Sequence, residues 1–287
     1  MHFDETIVTS LLRAVILLGA LLAAGSVLYA ATDRQTAIST RPQLRTQILF
    51  GVCVVLVATP VSLFVFQLAM SGGDTSLAFG PDMRWLAFQM PQGQAAILRL
   101  LGIILIAANG LRLLPLGLTG AILTIGSFTL EGHTAAAAHS YPWLPAVLVI
   151  HLLALAWWFA GLLPLANALR NFPADDAANA VHRFARIAVP AFGLLVIAGV
   201  AMFLALTGAR IDAANRYQLL LLAKTGLFAV ILGFAAYNKF VLTPGLRTSP
   251  ANGQQKLPVS IRFEIILAVI VLIVTGFLTS TSPGHET

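Results

Sequence analysis

Residues 7–31, "IVTSLLRAVILLGALLAAGSVLYAA", decide the fold class. One charge, Arg13, interrupts an apolar run longer than the roughly 20 residues that carry an α-helix across a bilayer. A cleavable leader would place positive charge before a short apolar core. Here Asp4 and Glu5 precede a long one, so the segment reads as a retained first span. Seven further runs of the same kind lie near 48–71, 94–113, 115–131, 143–169, 184–207, 217–242 and 259–281. The expected fold is therefore all-α: a polytopic membrane helix bundle of about eight transmembrane helices, forming a single integral membrane domain over 1–287. Between the third and fourth spans "LRLLPLGL" leaves almost no loop, and Pro115 suits the first turn of a helix, which needs no N–H there.

The whole composition agrees. Of 287 residues, 58% are hydrophobic and only 10% charged, against about 25% charged in a soluble domain. The net charge of +6 does not point to nucleic acid, because the basic residues are scattered between apolar runs with no stripe or binding module. Their sides are informative instead. Arg34, Arg41, Arg45, Arg112, Arg170, Arg183, Arg186, Lys239, Arg247, Lys256 and Arg262 fall on one side of the bundle. Only Arg84, Arg99, Arg210 and Arg216 fall on the other, with Arg13 and Lys224 inside spans. The excess of positive charge in inner loops then places both termini on the outer side. The single cysteine, Cys53, excludes an intramolecular disulfide and a CxxC site, and reads as a small buried packing residue. No GxxxxGK[ST], GxSxG or HExxH pattern is present, so neither ATP hydrolysis nor another enzymatic activity is expected.

Of six histidines, His2, His133, His139 and His285 fall on the outer side, His182 on the inner, and His151 about two turns into the fifth span. Met70, Met83 and Met90 are also near the outer face. The outer loop "GGDTSLAFGPDMRWLAFQMPQG" (72–93) mixes Phe79, Trp85, Leu86 and Phe88 with charge, as a piece lying in the interface would. Imidazole suits copper, zinc, iron and nickel, and thioether selects copper(I) among soft ions. His133, His139, His151, Met83 and Met90 are thus the candidate metal ligands. The first two are six residues apart, off the i, i+4 face of a helix. They converge only if "TAAAA" bends or the flanking spans approach; otherwise they are solvated loop histidines.

Ionisable side chains inside a span are costly and usually face a partner or a cavity. His151, Lys224 and Glu264 belong to this class, with Glu131 at the outer loop, and all are candidates for a relay. Lys224 has the alternative of snorkelling outward, and Glu264 of pairing with Arg262, Arg186 or another inner base. Asn109 and Asn238, near inner span ends, are expected to bond to backbone. Gly19, Gly25, Gly193, Gly199, Gly226 and Gly233 are read as packing positions that let helices approach. Pro60 should kink the second span, and Pro190 bends the sixth.

An ordered set of segments resembles the copper-resistance D (CopD) family of bacterial inner-membrane proteins. It comprises "EGHTAAAAH" (131–139), "HLLALAWWFAGLLPL" (151–165), "RFARIAVPAFGLLVIAGVAMFLAL" (183–206), "YQLLLLAKTGLFAVILGFAAYNKFVLTPGL" (217–246) and "RFEIILAVIVLIVTGFLTSTSPG" (262–284). Together these cover roughly 125–285; the first half agrees in span count and general character. The resemblance implies copper homeostasis, with copper moving from periplasm to cytoplasm, and it places His133, His151, Lys224 and Glu264 on matching positions. It also implies a partner: a small periplasmic copper-binding β-domain protein of the CopC type, which this chain is not expected to contain. The other partner is membrane lipid. Two further readings stand beside a copper permease. One is a haem b electron carrier using His151 with His133 or His139 as axial ligands. The other is a copper-binding scaffold that does not transport.

Overall fold

The computed structural model describes residues 2–109, 111–209, 215–248 and 250–281, with the side chains of 2–5, 109, 247–248 and 250–252 left aside. Arg210, His285 and the side chains of His2, Asn109 and Arg247 lie outside the described residues. Every described element is helical. In order they are α1 (His2–Thr32), α2 (Arg34–Ser39), α3 (Arg41–Met70), α4 (Thr75–Ala78), α5 (Pro81–Gln89), α6 (Pro91–Asn109) and α7 (Leu114–Gly126). A 3-10 turn (Ser127–Leu130) leads to α8 (Gly132–Ala137), α9 (Leu144–Asn171), α10 (Ala174–Thr207) and α11 (Arg216–Tyr237). A π-helical turn (Asn238–Leu242) then leads to α12 (Thr243–Thr248) and α13 (Pro250–Ser280).

Seven of these are long and apolar enough to cross a membrane, and the expected eighth, Leu114–Leu130, is shorter. Its α-helix and 3-10 turn together reach about 27 Å, just under the roughly 30 Å hydrocarbon core. Pro115 opens it, within the first two helical positions. The chain is a multi-pass helical membrane bundle. Leu49, Phe50, Val57, Ile104, Ile122, Ile197, Phe240 and Phe263 point outward, as lipid-facing residues do. Phe79, Trp85, Leu86 and Phe88 are exposed on or beside the short α4 and α5, which fits an interfacial segment. Asp74 caps α4 by accepting from the Ser76 and Leu77 amides.

The first helix is the hub. It packs against α3, α6, α7, α9 and α13, and more than half of its apolar stretch is buried, whereas almost none of that in Arg216–Leu246 is. Small residues allow this. A methyl group on Gly25 would overlap the Ala156 carbonyl of α9, and one on Gly19 would meet Val54 of α3. The ends of the first and last helices meet: the Arg13 guanidinium donates to the Thr279 carbonyl at 2.5 Å and to the Ser280 hydroxyl at 3.2 Å. The described ends of α1 and α13 therefore share one end of the bundle, called here the terminal end; the opposite one is the far end.

At the far end a buried polar clasp joins α1, α2, α9 and α10. Arg183 Nε donates to Asp33 Oδ1 at 3.1 Å and its Nη2 to Thr36 Oγ1 at 2.8 Å. Trp157 Nε1 donates to Thr32 Oγ1 at 2.7 Å, and its ring stacks on Phe184 with centroids 5.2 Å apart. The sequence marks Arg183 only as a loop cation; its partner lies 150 residues away.

Three expectations are corrected. Cys53 is exposed on α3 rather than buried, because that face of α3 lies on the bundle's outside. At Gly193, Gly199, Gly226 and Gly233 an added methyl group would have nothing within 4 Å. The faces of α10 and α11 that carry them are open, so close helix approach does not account for them. Arg99, counted with the outer-side charges, is not exposed there: it lies within α6 and is 3% exposed. Helix α3 continues through Pro60.

Candidate functional site

Besides the far-end clasp, three polar sites among the described residues interrupt the apolar bundle. The first is at the terminal end. Arg99 Nη2 of α6 forms an ion pair with Glu131 Oε1 at 2.9 Å, and its Nε donates to Ser127 Oγ at 3.1 Å. The guanidinium carbon sits 4.5 Å from the Phe128 ring centroid. Arg13 lies close enough to Glu131 and Arg99 to feel both charges. Gly132 has φ +75°, a left-handed turn that suits glycine, and it separates Glu131 from His133. His133 Nε2 lies 3.2 Å from the Leu278 carbonyl of α13, and its ring meets Tyr217 of α11 edge-on at 5.1 Å. A carbonyl only accepts, so Nε2 carries the proton in this bond, and in the neutral tautomer Nδ1 keeps its lone pair. Burial holds the His133 imidazole below its usual pKa, opposed by bonds to the Leu278 and Thr281 backbone.

The remaining loop ligands spread out around this site. The residues between His133 and His139 form helix α8, and His139 is exposed. Met83 and Met90 are half-buried on or beside α5, which packs on α3, α4 and α6, whereas α8 packs on α9, α10, α13 and the 3-10 turn. Among the described residues no group of three or more His, Cys, Asp and Glu converges on one point. A metal held here would take its ligands from fewer such residues, with water, methionine or a partner completing the shell.

The second site is His151 of α9. Its Nδ1 is buried and has no hydrogen-bond partner. The ring lies near the Leu195 backbone of α10, and Lys224 of α11 acts on it electrostatically. Lys224 is only half-exposed. Sequence alone singles out both residues but gives no sign that they are neighbours.

The third site is Glu264 of α13, 3% exposed. It makes no ion pair among the described residues; neither Arg262 nor Arg186 is its partner. Instead Asn238 Nδ2, in the π-helical turn, donates to its Oε1. Asn238 therefore bonds to a side chain rather than to backbone. Its own Oδ1, and the hydroxyl of Ser260 one turn before Glu264, are buried without partners. Glu264 and Asn238 line a cavity of about 320 Å³ between α9, α10, α11 and α13, with Trp158, Phe184 and Phe192 among its walls.

Buried polar sites at two depths thus mark a multi-pass helical membrane bundle. Comparison with known sequences narrows this. Residues 4–140 match the model for the N-terminal domain of copper resistance protein D-like proteins, and residues 178–278 match that for copper resistance protein D. The copper resistance protein D of Pseudomonas syringae pv. tomato is 27% identical over 268 residues, covering 86% of this chain and 85% of that one. The chain belongs to the copper resistance protein D family. Its likeness extends through the first half, where sequence reading finds only general character. No solved structure matches it.

Proposed function

We propose that the protein takes up copper ions at the terminal end, facing the periplasm, and passes them through the bacterial inner membrane toward the cytoplasm. The observation that carries this reading is His151 Nδ1: a buried imidazole nitrogen inside a span, with no protein partner. Leaving such a nitrogen unsatisfied costs about 1–3 kcal/mol, and copper is a ligand that imidazole suits. His133, with Nδ1 directed away from its bond to Leu278, serves as the receiving ligand. Exposed His139 and half-buried Met83 and Met90 act as outlying capture groups, and a separate periplasmic copper-binding protein delivers the ion. The Arg99–Glu131 pair fixes the segment that carries His133. Lys224 opposes a cation at His151, which keeps binding weak enough for release, as conduction requires.

The test is a copper titration of detergent-purified protein beside His133→Ala, His139→Ala and His151→Ala, with absorption spectra recorded throughout. Stoichiometric copper weakened at least about tenfold, or 1.4 kcal/mol, in His151→Ala is expected. Equal binding by all four proteins contradicts the assignment. A Soret band that the same substitutions remove would make the histidines haem ligands instead.

A further inference from the structure

Glu264 is a buried ionisable group that copper capture leaves unused and no counter-ion satisfies among the described residues. It lies deep on α13, about 22 Å along the helix from the Thr279 carbonyl that Arg13 holds. The charged and titratable groups around it are few. Its cavity is walled by apolar side chains of α9 (Trp158, Leu162, Leu165) and of α10 (Val181, Phe184, Ala188). From the π-helical turn come Asn238 and Lys239, and from α12 comes Thr243. Lys239 is exposed, with its ammonium 5.3 Å from the Phe240 ring centroid. On α1, which packs along α13, Arg13 is engaged with Thr279 and Tyr29 with Asp33. The short α8 brings His133, which is tied to Leu278; α11 brings Tyr217 against His133, Lys224 acting on His151 of α9, and Tyr237, which is exposed. On α13 itself Arg262 and Lys256 are exposed. Among the described residues Glu264 thus has one hydrogen bond and no counter-charge.

A carboxylate in such a place is expensive, and it is relieved by a cation or by a proton. The apolar walls and the lysine at the rim disfavour a metal ion. The orphaned Asn238 Oδ1 and Ser260 Oγ supply acceptors that a carboxylic O–H can use. A π-helical turn often marks a functional position inside a helix, and Asn238, which bonds Glu264, opens this one. We propose that Glu264 is a proton-binding site within the membrane, loaded from the far end through the cavity, and coupled to copper passage. The proton adds to Oε2, the oxygen that Asn238 does not hold, and leaves to water at the far end; no other bond changes.

The coupling rests on the copper-passage reading, but the proton site does not, and the experiment separates them. Infrared difference spectra of the full-length protein in lipid nanodiscs are recorded across pH without copper. A protonated-carboxyl C=O band that fades as pH rises, is absent from Glu264→Gln, and moves in Asn238→Ala is the expected result. A titrating band identical in wild type and Glu264→Gln, or none in wild type, overturns the site. If Glu264→Gln does not fold, Asn238→Ala decides: an unmoved band overturns the site. In proteoliposomes, copper uptake driven by a pH gradient should lose that dependence in Glu264→Gln. Wild-type uptake indifferent to the gradient overturns the coupling. No uptake with the band present sinks copper passage and leaves the proton site standing.

Discussion

Glu131→Gln is predicted to destabilise the bundle more than any loop substitution near it. The mutation removes the counter-charge of Arg99, whose side chain is 4% exposed, while Glu131 is 19% exposed. Breaking a buried ion pair from one side costs about 3–5 kcal/mol, because a charge stays behind uncompensated. Arg99 keeps the Ser127 hydroxyl and the Phe128 ring, and the Glu131 side is partly open to solvent. The lower end, about 3 kcal/mol, is therefore expected, roughly a hundredfold in the folded-to-unfolded ratio. Arg99→Met should cost a similar amount by stranding the carboxylate. The double variant Arg99→Met/Glu131→Gln should recover to within about 1 kcal/mol of wild type, since neither charge is then left behind uncompensated. Unfolding of the four proteins by heat or by sodium dodecyl sulfate in mixed micelles gives the cycle. Additive losses in the double variant would refute the reasoning, for they would mean that the two charges do not stabilise each other.

Other outcomes follow from the same structure. His133 titrates below its usual value of 6.5 because of burial, so between the folded and unfolded pKa values the unfolded chain binds more protons. Stability is then full above pH about 6.5 and falls as pH drops through the folded value; melting curves from pH 7.5 to 5 should flatten in His133→Gln, and parallel curves would count against it. Gly25→Ala drives a methyl into the Ala156 carbonyl and should cost about 1–3 kcal/mol. Gly193→Ala meets open space and should be neutral or stabilising by up to about 1 kcal/mol; equal melting shifts for the two would refute the packing assignment. Cys53, outward on α3, should react in membranes with a lipid-soluble maleimide and not with an impermeant one. Labelling by both would place it in water.

The spans are legible in the sequence because their signal is local: twenty apolar residues between charged loops need no partner to be recognised. Faces and partners are not. A helix apolar on all sides carries no stripe to say which side meets its neighbours, so nothing in the sequence turns Cys53 or the α10 and α11 glycines outward. Arg99 reads as an outer-side cation near the start of the third span, and its partner Glu131 is 32 residues on. Asp33 with Arg183 and Asn238 with Glu264 join distant segments in the same way. The intramembrane polar residues themselves, His151, Lys224 and Glu264, stand out because each breaks an apolar run. What the structure adds is their company: Lys224 within electrostatic reach of His151, and Asn238 rather than an arginine beside Glu264.

Copper uptake by proteoliposomes is the most direct test of copper passage. Vesicles carrying the wild-type protein, oriented so that the terminal end faces out, are given external copper, and a copper-sensitive dye reports inside. Uptake above protein-free vesicles, reduced at least about tenfold in His151→Ala with the fold intact, is the predicted result. Copper bound at the terminal end but never reaching the lumen would contradict it and leave a copper-binding scaffold.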